Sequence, residues 1–327
     1  MRVLLHLPVA RANNGGGAIA MWRLAQALAA RGVSVRVSAC IGTGNDLFGF
    51  RVEQFDRAVK DADILLTAAG EKTDAARKEC ARRGIPVVCC VHSAATPAWY
   101  PTRSANASLV LWGSAALEAR LRDRGATPDC PSMVMWPLLD VDAVRVPRVG
   151  HRVTLVNLLR DKGANLFWRL PALLPRVQFL AVRGGWHAKR QVVPGTVPRN
   201  VDVMDFSPDV RRVYVRTRVL LYMRGPDSGL NWLNGVGMAA MEAGVSGIPT
   251  IAHPGAGLIE SLGDTGTWVD SDQPEDWARA IQQTLRAERY AERSAAVRDR
   301  MAAIDQSGGV TELLTRMRVM MALEAAA

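Results

Sequence analysis

The sequence predicts an α/β protein of two Rossmann-like, doubly wound domains, and three observations predict it. Apolar strand-like runs alternate with amphipathic helical stretches along the chain. The alternation restarts after a proline-bounded stretch at 137–147 that reads as a linker. Each half also carries glycine turns where a strand gives way to a helix, Gly15, Gly16 and Gly17 in the first and Gly235 and Gly237 in the second.

Residues 2–8 lack one-sided alternation and read as a buried parallel strand. The glycine loop follows, then a helix with Met21, Leu24, Ala25 and Leu28 at i, i+3, i+4 and i+7, ended by Gly32. Residues 33–40 form the next strand. The three glycines lack G-x-G-x-x-G spacing and no acid ends that second strand, so this βαβ unit is not a dinucleotide fingerprint. Strands at 63–68, 85–91, 107–112 and 133–136, with helices at 73–83 and 115–124, complete the half. The second half reads as a strand at 152–158, a loop, a helix through 174, strands at 177–183 and 201–205, a helix at 208–217 and a strand at 218–223. A loop at 224–234 leads to the most informative stretch, 235–252. There an apolar helix over 238–245 carries one acid, Glu242, and is stopped by Gly247 and Pro249 before a short buried strand. A second glycine loop follows at 253–257, then a strand at 267–269, helix over 275–303 and a last helix at 310–325. The expected domains are therefore 1–148, 149–303 and a C-terminal helix, 304–327, packing back on the N-terminal domain.

With 327 residues, 49% of them hydrophobic, both domains can bury substantial cores. No apolar run reaches the roughly 18–20 residues of a membrane span. The first residues lack a secretory leader's pattern, and the five cysteines show no C-x-x-C spacing and read as reduced, buried thiols. A cytoplasmic protein, or one peripheral to a membrane, is expected. With five histidines and no His/Cys cluster, a zinc site is not expected. The net charge of +10 favours anionic partners: nucleotide diphosphates, a polyanionic acceptor such as DNA, or an anionic membrane surface. Its largely arginine make-up also fits a coding bias alone. Arg211, Arg212, Arg216 and Arg218 form one basic cluster, and Arg286, Arg289, Arg293, Arg298 and Arg300 another; each is also readable as a solvated helix face.

Glycines before a helix let a phosphate approach unpaired N–H groups at its positive end. The amides of Gly237, Met238 and Ala239 fit that use, and Glu242 lies close enough to the helix start to accept hydrogen bonds from a ribose. Two such domains with facing glycine loops suggest a ligand held in a cleft between them.

At this point the sequence resembles the retaining glycosyltransferases of family 4, the glycosyl transferases group 1, which have the two-Rossmann GT-B architecture. The likeness spans nearly the whole chain and is strongest over 151–270. In that family an N-terminal glycine loop lies under the donor, matched here by Gly15, Gly16 and Gly17. A histidine after a strand lies near the donor sugar, matched by His92 in Val91-His92-Ser93. The G-R-L-x-x-x-K-G element, which holds the pyrophosphate, is matched by VNLLRDKG. It keeps Lys162 and Gly163, has Asn157 where the arginine stands, and offers Arg160 as a replacement charge. The E-x7-E motif is matched by Asn234 and Glu242, with Glu242 on the ribose and Asn234 at the position that touches the transferred sugar.

The resemblance implies transfer from a nucleotide sugar to an acceptor hydroxyl, with retention, by front-face attack. Its catalytic set would be His92, Asn234 and Lys162, and Gly184 and Phe206 would lie near the base. No cofactor or metal is expected beyond the donor substrate, and D-x-D metal chemistry is disfavoured on the reading that the chain carries no such triplet. Phe206 reads equally as core, and Trp232 as a stacking or a packing side chain. The acceptor is open among a natural product, a glycan or lipid, and a modified nucleic-acid base. Asn157 and Asn234 also allow a different class, a nucleotide-sugar-binding protein or degenerate partner subunit without turnover. An epimerase would need more cleft acids than the sequence offers.

Overall fold

The computed structural model describes residues 1–11, 15–92, 106–185, 190–225 and 235–326. They form two compact units, Met1–Leu138 with Asp305–Ala327, and Leu139–Ile304.

In the first unit β1 (Arg2–Leu7) leads to α1 (Gly16–Ala29) and β2 (Ser34–Ala39). Next come β3 (Asp46–Leu47), β4 (Phe50–Glu53), α2 (Phe55–Ala58), β5 (Ile64–Ala68), α3 (Asp74–Arg82), β6 (Val87–Val91), β7 (Leu109–Trp112), α4 (Ala115–Arg122) and β8 (Ser132–Val134). The sheet order is β3-β4-β2-β1-β5-β6-β7-β8, parallel except for the β3–β4 pair. The chain builds one side of β1, then returns to the other at β5, so the strand order reverses between β1 and β5. β6 is buried at every position, as a central strand covered on both faces must be. The α1 periodicity holds, with Met21, Leu24, Ala25 and Leu28 buried.

The second unit contains α5 (Val141–Val144), β9 (Arg152–Val156), α6 (Ala164–Phe167), α7 (Leu170–Leu173), β10 (Phe179–Val182), β11 (Val201–Met204), α8 (Arg211–Tyr214) and β12 (Thr217–Tyr222). It continues with α9 (Met238–Val245), β13 (Thr250–Ala252), α10 (Ala256–Leu262), β14 (Thr267–Trp268), α11 (Pro274–Thr284) and α12 (Ala287–Ala302). Its sheet is parallel, in the order β11-β10-β9-β12-β13-β14. Counted within the unit this is 3-2-1-4-5-6, the doubly wound dinucleotide-binding order. The last helix, α13 (Gln306–Ala326), belongs to the first unit, where Val310, Leu313, Leu314 and Met317 join the core and the helix packs against α1. No helix among the described residues is long and apolar enough to cross a membrane.

Several local expectations are corrected. Within the stretch expected as a linker, 137–147, the residues from 139 on are not free. They lie in the second unit, where Asp140 caps α5 by accepting from the Ala143 N–H and α5 packs on α9. The single helix expected through 174 is two short ones, because Pro171 has no N–H and its ring excludes a helical bond to residue 167. The helix expected at 208–217 shrinks to the four residues of α8. The β3–β4 hairpin was not expected. Its turn residues, Phe48 (φ 52°) and Gly49 (φ 86°), are both left-handed, and phenylalanine is not the asparagine or aspartate that signals such a turn. Phe48 stacks on the buried Trp22, with ring centroids 5.0 Å apart, which holds it there. Cys80, Cys89 and Cys90 are buried as expected, but Cys40 is exposed.

Candidate functional site

In the second unit the strand order reverses between β9 and β12, and ligands of such sheets bind beyond the strand ends at that point. Three segments converge there. The turn after β9 runs from Asn157, itself left-handed at φ 72°, through a single 3-10 turn, Arg160–Lys162, to Gly163 at φ 77°. The segment after β12 begins with Met223, Arg224 and Gly225. The third is the start of α9, capped by Gly237 at φ 71°.

The first two segments are in van der Waals contact. A Cβ on Gly163 would strike the Met223 side chain, and one on Gly225 would strike the Arg160 carbonyl oxygen. The Gly225 N–H donates to the Asp161 carbonyl at 3.1 Å. Glycine is therefore required at both positions, at Gly163 for its backbone angles as well. Arg160 is exposed and Lys162 half-buried, both on this turn.

Asn157 and Gly184 also meet. Gly184, after β10, sits against the Asn157 amide with no room for a Cβ. Gln191 joins them: its Nε2 donates to Asn157 Oδ1 at 3.1 Å, and its Oε1 accepts from the Gly184 N–H at 3.1 Å. Phe206, beyond β11, is 41% exposed, so the core alternative for it is removed.

Glu242 is 8% exposed, one turn in from Gly237. Its Oε2 accepts from the hydroxyl of Tyr214 on α8 at 3.0 Å, and Tyr214 is itself 2% exposed. The carboxylate is thus buried, with a phenol on one oxygen. Met238 and Ala239, in the first turn of α9, are half-exposed, and their N–H groups fall in the part of a helix that leaves donors unpaired.

His253, at the end of β13, was not singled out in the sequence, although a polar residue closing an apolar strand was the available signal. It is fully buried, and its Nδ1 accepts from the Arg224 N–H at 3.0 Å. Its Nε2 faces the Ser271 carbonyl and Asp272 Oδ1, both at 3.1 Å, so the proton of the neutral ring sits on Nε2. Burial lowers its imidazole below the usual range, helped by Arg224 and opposed by Asp272. The Arg224 guanidinium pairs with Asp270 at 3.2 Å.

In the first unit the structure brings Gly17 and His92 together. A Cβ on Gly17 would lie 3.3 Å from His92 Cβ, and one on Gly113 would lie 3.3 Å from His92 Nδ1. His92 thus closes β6 against the first turn of α1, which Gly15 caps and Gly16 begins. It lines a small, partly open apolar pocket with Met21, Leu24, Leu111, Met135 and Trp136. The ring keeps some solvent access, yet its apolar surroundings hold the imidazole down at about 4, neutral at pH 7. Asn234, Trp232 and Ser93 lie outside the described residues.

Among the described residues no three His, Cys, Asp or Glu side chains come together as a metal site. D-x-D triplets do occur, at Asp61–Asp63, Asp140–Asp142 and Asp270–Asp272. Asp61 pairs with Arg36, Asp63 with Arg2, Asp140 caps α5, Asp270 pairs with Arg224 and Asp272 contacts His253. Several arginines of the basic clusters have local partners, although most remain exposed. Arg211 pairs with Asp209, Arg218 lies over the Tyr290 ring, and Arg289 pairs with Glu292. Arg293 donates to the Asp264 carbonyl, and Arg300 to those of Glu260 and Ser261.

This second unit carries a family resemblance in sequence: residues 152–287 match the model of the glycosyl transferases group 1. No curated protein matches the chain in sequence. Solved structures match its fold over almost its full length. Sucrose-phosphate synthase from Thermosynechococcus elongatus aligns with a TM-score of 0.73 at 17% identity, covering 99% of this chain and 100% of that one. The Anabaena protein HepE, in complex with UDP and glucose, aligns with a TM-score of 0.75 at 14% identity, covering 96% and 99%. An α-glucosyltransferase in complex with UDP and a 13-mer DNA containing an HMU base aligns with a TM-score of 0.68 at 14% identity, covering 97% and 99%. The chain therefore has the two-Rossmann GT-B fold class of glycosyltransferases.

Proposed function

We propose that the protein is a glycosyltransferase that moves a sugar from a nucleoside diphosphate to an acceptor hydroxyl, with retention and without a metal. One observation carries this reading. The stretch that matches the glycosyltransferase family coincides with the unit whose strand reversal gathers Arg160, Lys162 and the amino end of α9. The HepE and α-glucosyltransferase structures, of the same fold, hold UDP.

Lys162, Arg160 and the N–H groups of Met238 and Ala239 stabilise the departing diphosphate electrostatically. Glu242 holds the ribose, its carboxylate oriented by the Tyr214 hydroxyl. The bond from the anomeric carbon to the phosphate oxygen breaks as the acceptor oxygen bonds to the same face. The acceptor's proton passes to the departing phosphate oxygen. His92, neutral at working pH, hydrogen-bonds the sugar and carries no charge into the site.

Thermal-shift measurement against UDP, GDP, ADP and TDP sugars tests donor binding. A ligand at 100 times its Kd adds about 2.7 kcal/mol to the stability of the folded state. One base family is expected to raise the melting temperature, and Lys162→Ala to reduce that shift. If no donor shifts the wild type, or Lys162→Ala responds in full, the site is misassigned. A second reading, donor binding without transfer, draws on the Asn157 amide, engaged by Gln191 at the position where the family has an arginine. Turnover of the bound donor excludes it. The acceptor class is tested by salt: affinity for a DNA acceptor falls steeply with ionic strength, and that for a neutral one does not.

A further inference from the structure

The loop after β12 has to be held at the point where it meets the turn carrying Arg160 and Lys162. Backbone contact supplies one side of that hold, through the Gly225 N–H on the Asp161 carbonyl. The other side is a side chain, since the neighbouring Arg224 N–H has His253 Nδ1 as its acceptor at 3.0 Å. His253 is in turn fixed by the Ser271 carbonyl and Asp272 on Nε2, and by the Trp277 ring, whose centroid lies 4.8 Å away. Trp277 Nε1 donates to the same Ser271 carbonyl at 2.7 Å, and Ser271 Oγ to Asp276 Oδ2 at 2.5 Å. The imidazole is thus a fully buried strut from the edge of α11 to the reversal point of the sheet.

We infer that His253 is a positioning residue for the donor site, holding the β12 loop against the Arg160–Lys162 turn through its unprotonated Nδ1. The inference rests on the donor reading above for its functional consequence, but the tether itself does not. A proton on Nδ1 would replace the acceptor by a second donor facing the Arg224 N–H, and the loop would be released. Arg224, on the β12 loop, faces the ring and opposes that proton. Asp272, 73% exposed on the segment before α11, favours it, with Asp276 behind Ser271. The buried ring remains neutral at pH 7 and takes up its proton only below the ordinary histidine range.

Two variants separate the roles. His253→Asn places an amide oxygen near the Nδ1 position and cannot titrate, whereas His253→Leu fills the space without an acceptor. Hydrogen exchange without ligand is read over 223–225 and 160–163, and UDP affinity is read from pH 5 to 8. The Leu variant is expected to exchange these amides about tenfold faster and to bind UDP about tenfold more weakly at pH 7.5, and the Asn variant to keep both near wild type. Wild-type affinity is expected to fall further in acid than that of the Asn variant, whose profile carries the titration of UDP itself. Wild-type exchange protection in the Leu variant, or identical acid profiles for wild type and the Asn variant, overturns the inference. UDP failing to bind the wild type overturns the donor reading instead, and exchange then still decides the tether.

Discussion

Gly163 and Glu242 behave differently from what their sequence context implies, each because of a neighbour far along the chain. Gly163 was visible as the glycine of a lysine–glycine pair, but its necessity comes from Met223, 60 residues on, and from its left-handed backbone. Gly163→Ala is expected to cost about 1–3 kcal/mol, read as a lower urea midpoint with unchanged slope. Glu242 was legible as a lone acid in an apolar helix; that Tyr214 covers one oxygen was not, because the two are 28 positions apart. Tyr214→Phe leaves that oxygen buried without its donor. It is expected to destabilise by about 1–3 kcal/mol, and to weaken donor binding less than Glu242→Ala does.

Elements were located well where burial imposes a period and poorly where a proline, a turn or a neighbour decides. α1 and β6 follow from the spacing of their apolar residues, whereas the 164–174 helix breaks at Pro171 and the Phe48–Gly49 turn is held by Trp22. The arginines of α12 looked like a basic face. Arg300 and Arg293 instead cap carbonyls at the end of α10 and in the turn after it, as cations do at helix C-termini. Arg300→Ala is therefore expected to lower the melting temperature while leaving the salt dependence of acceptor binding unchanged. α13 buries Leu313 completely in the first unit's core. Leu313→Ala is expected to cost about 2–5 kcal/mol, measured by chemical denaturation.

Across the whole molecule, buried histidines set the response to acid. His6, against Ser38 and Arg77, is held at about 4 by burial and then by the Arg77 charge; His92 is also at about 4, and His253 is lowered. A folded state that binds these protons less readily than the unfolded chain loses stability as pH falls. That contribution is complete above the ordinary histidine value of 6.5 and declines from there toward about 4. The melting temperature is expected to drop across that interval, before the depressed carboxylates of Asp63 and Glu53 begin to protonate. A flat profile from pH 7 to 4.5 contradicts the burial of these rings.

By itself the sequence determined the alternation of strand and helix, the glycine turns and the candidate residues Lys162, Glu242 and His92, because periodicity, turn chemistry and motif spacing are local along the chain. Tertiary structure alone decided the strand order that makes β9 and β12 neighbours. It also decided the burial of Glu242 under Tyr214, the locking of Asn157 by Gln191 and the hydrogen bond from the Arg224 N–H to His253. Those depend on which distant segments share a sheet edge, and a buried polar group takes whichever partner the packing brings within reach.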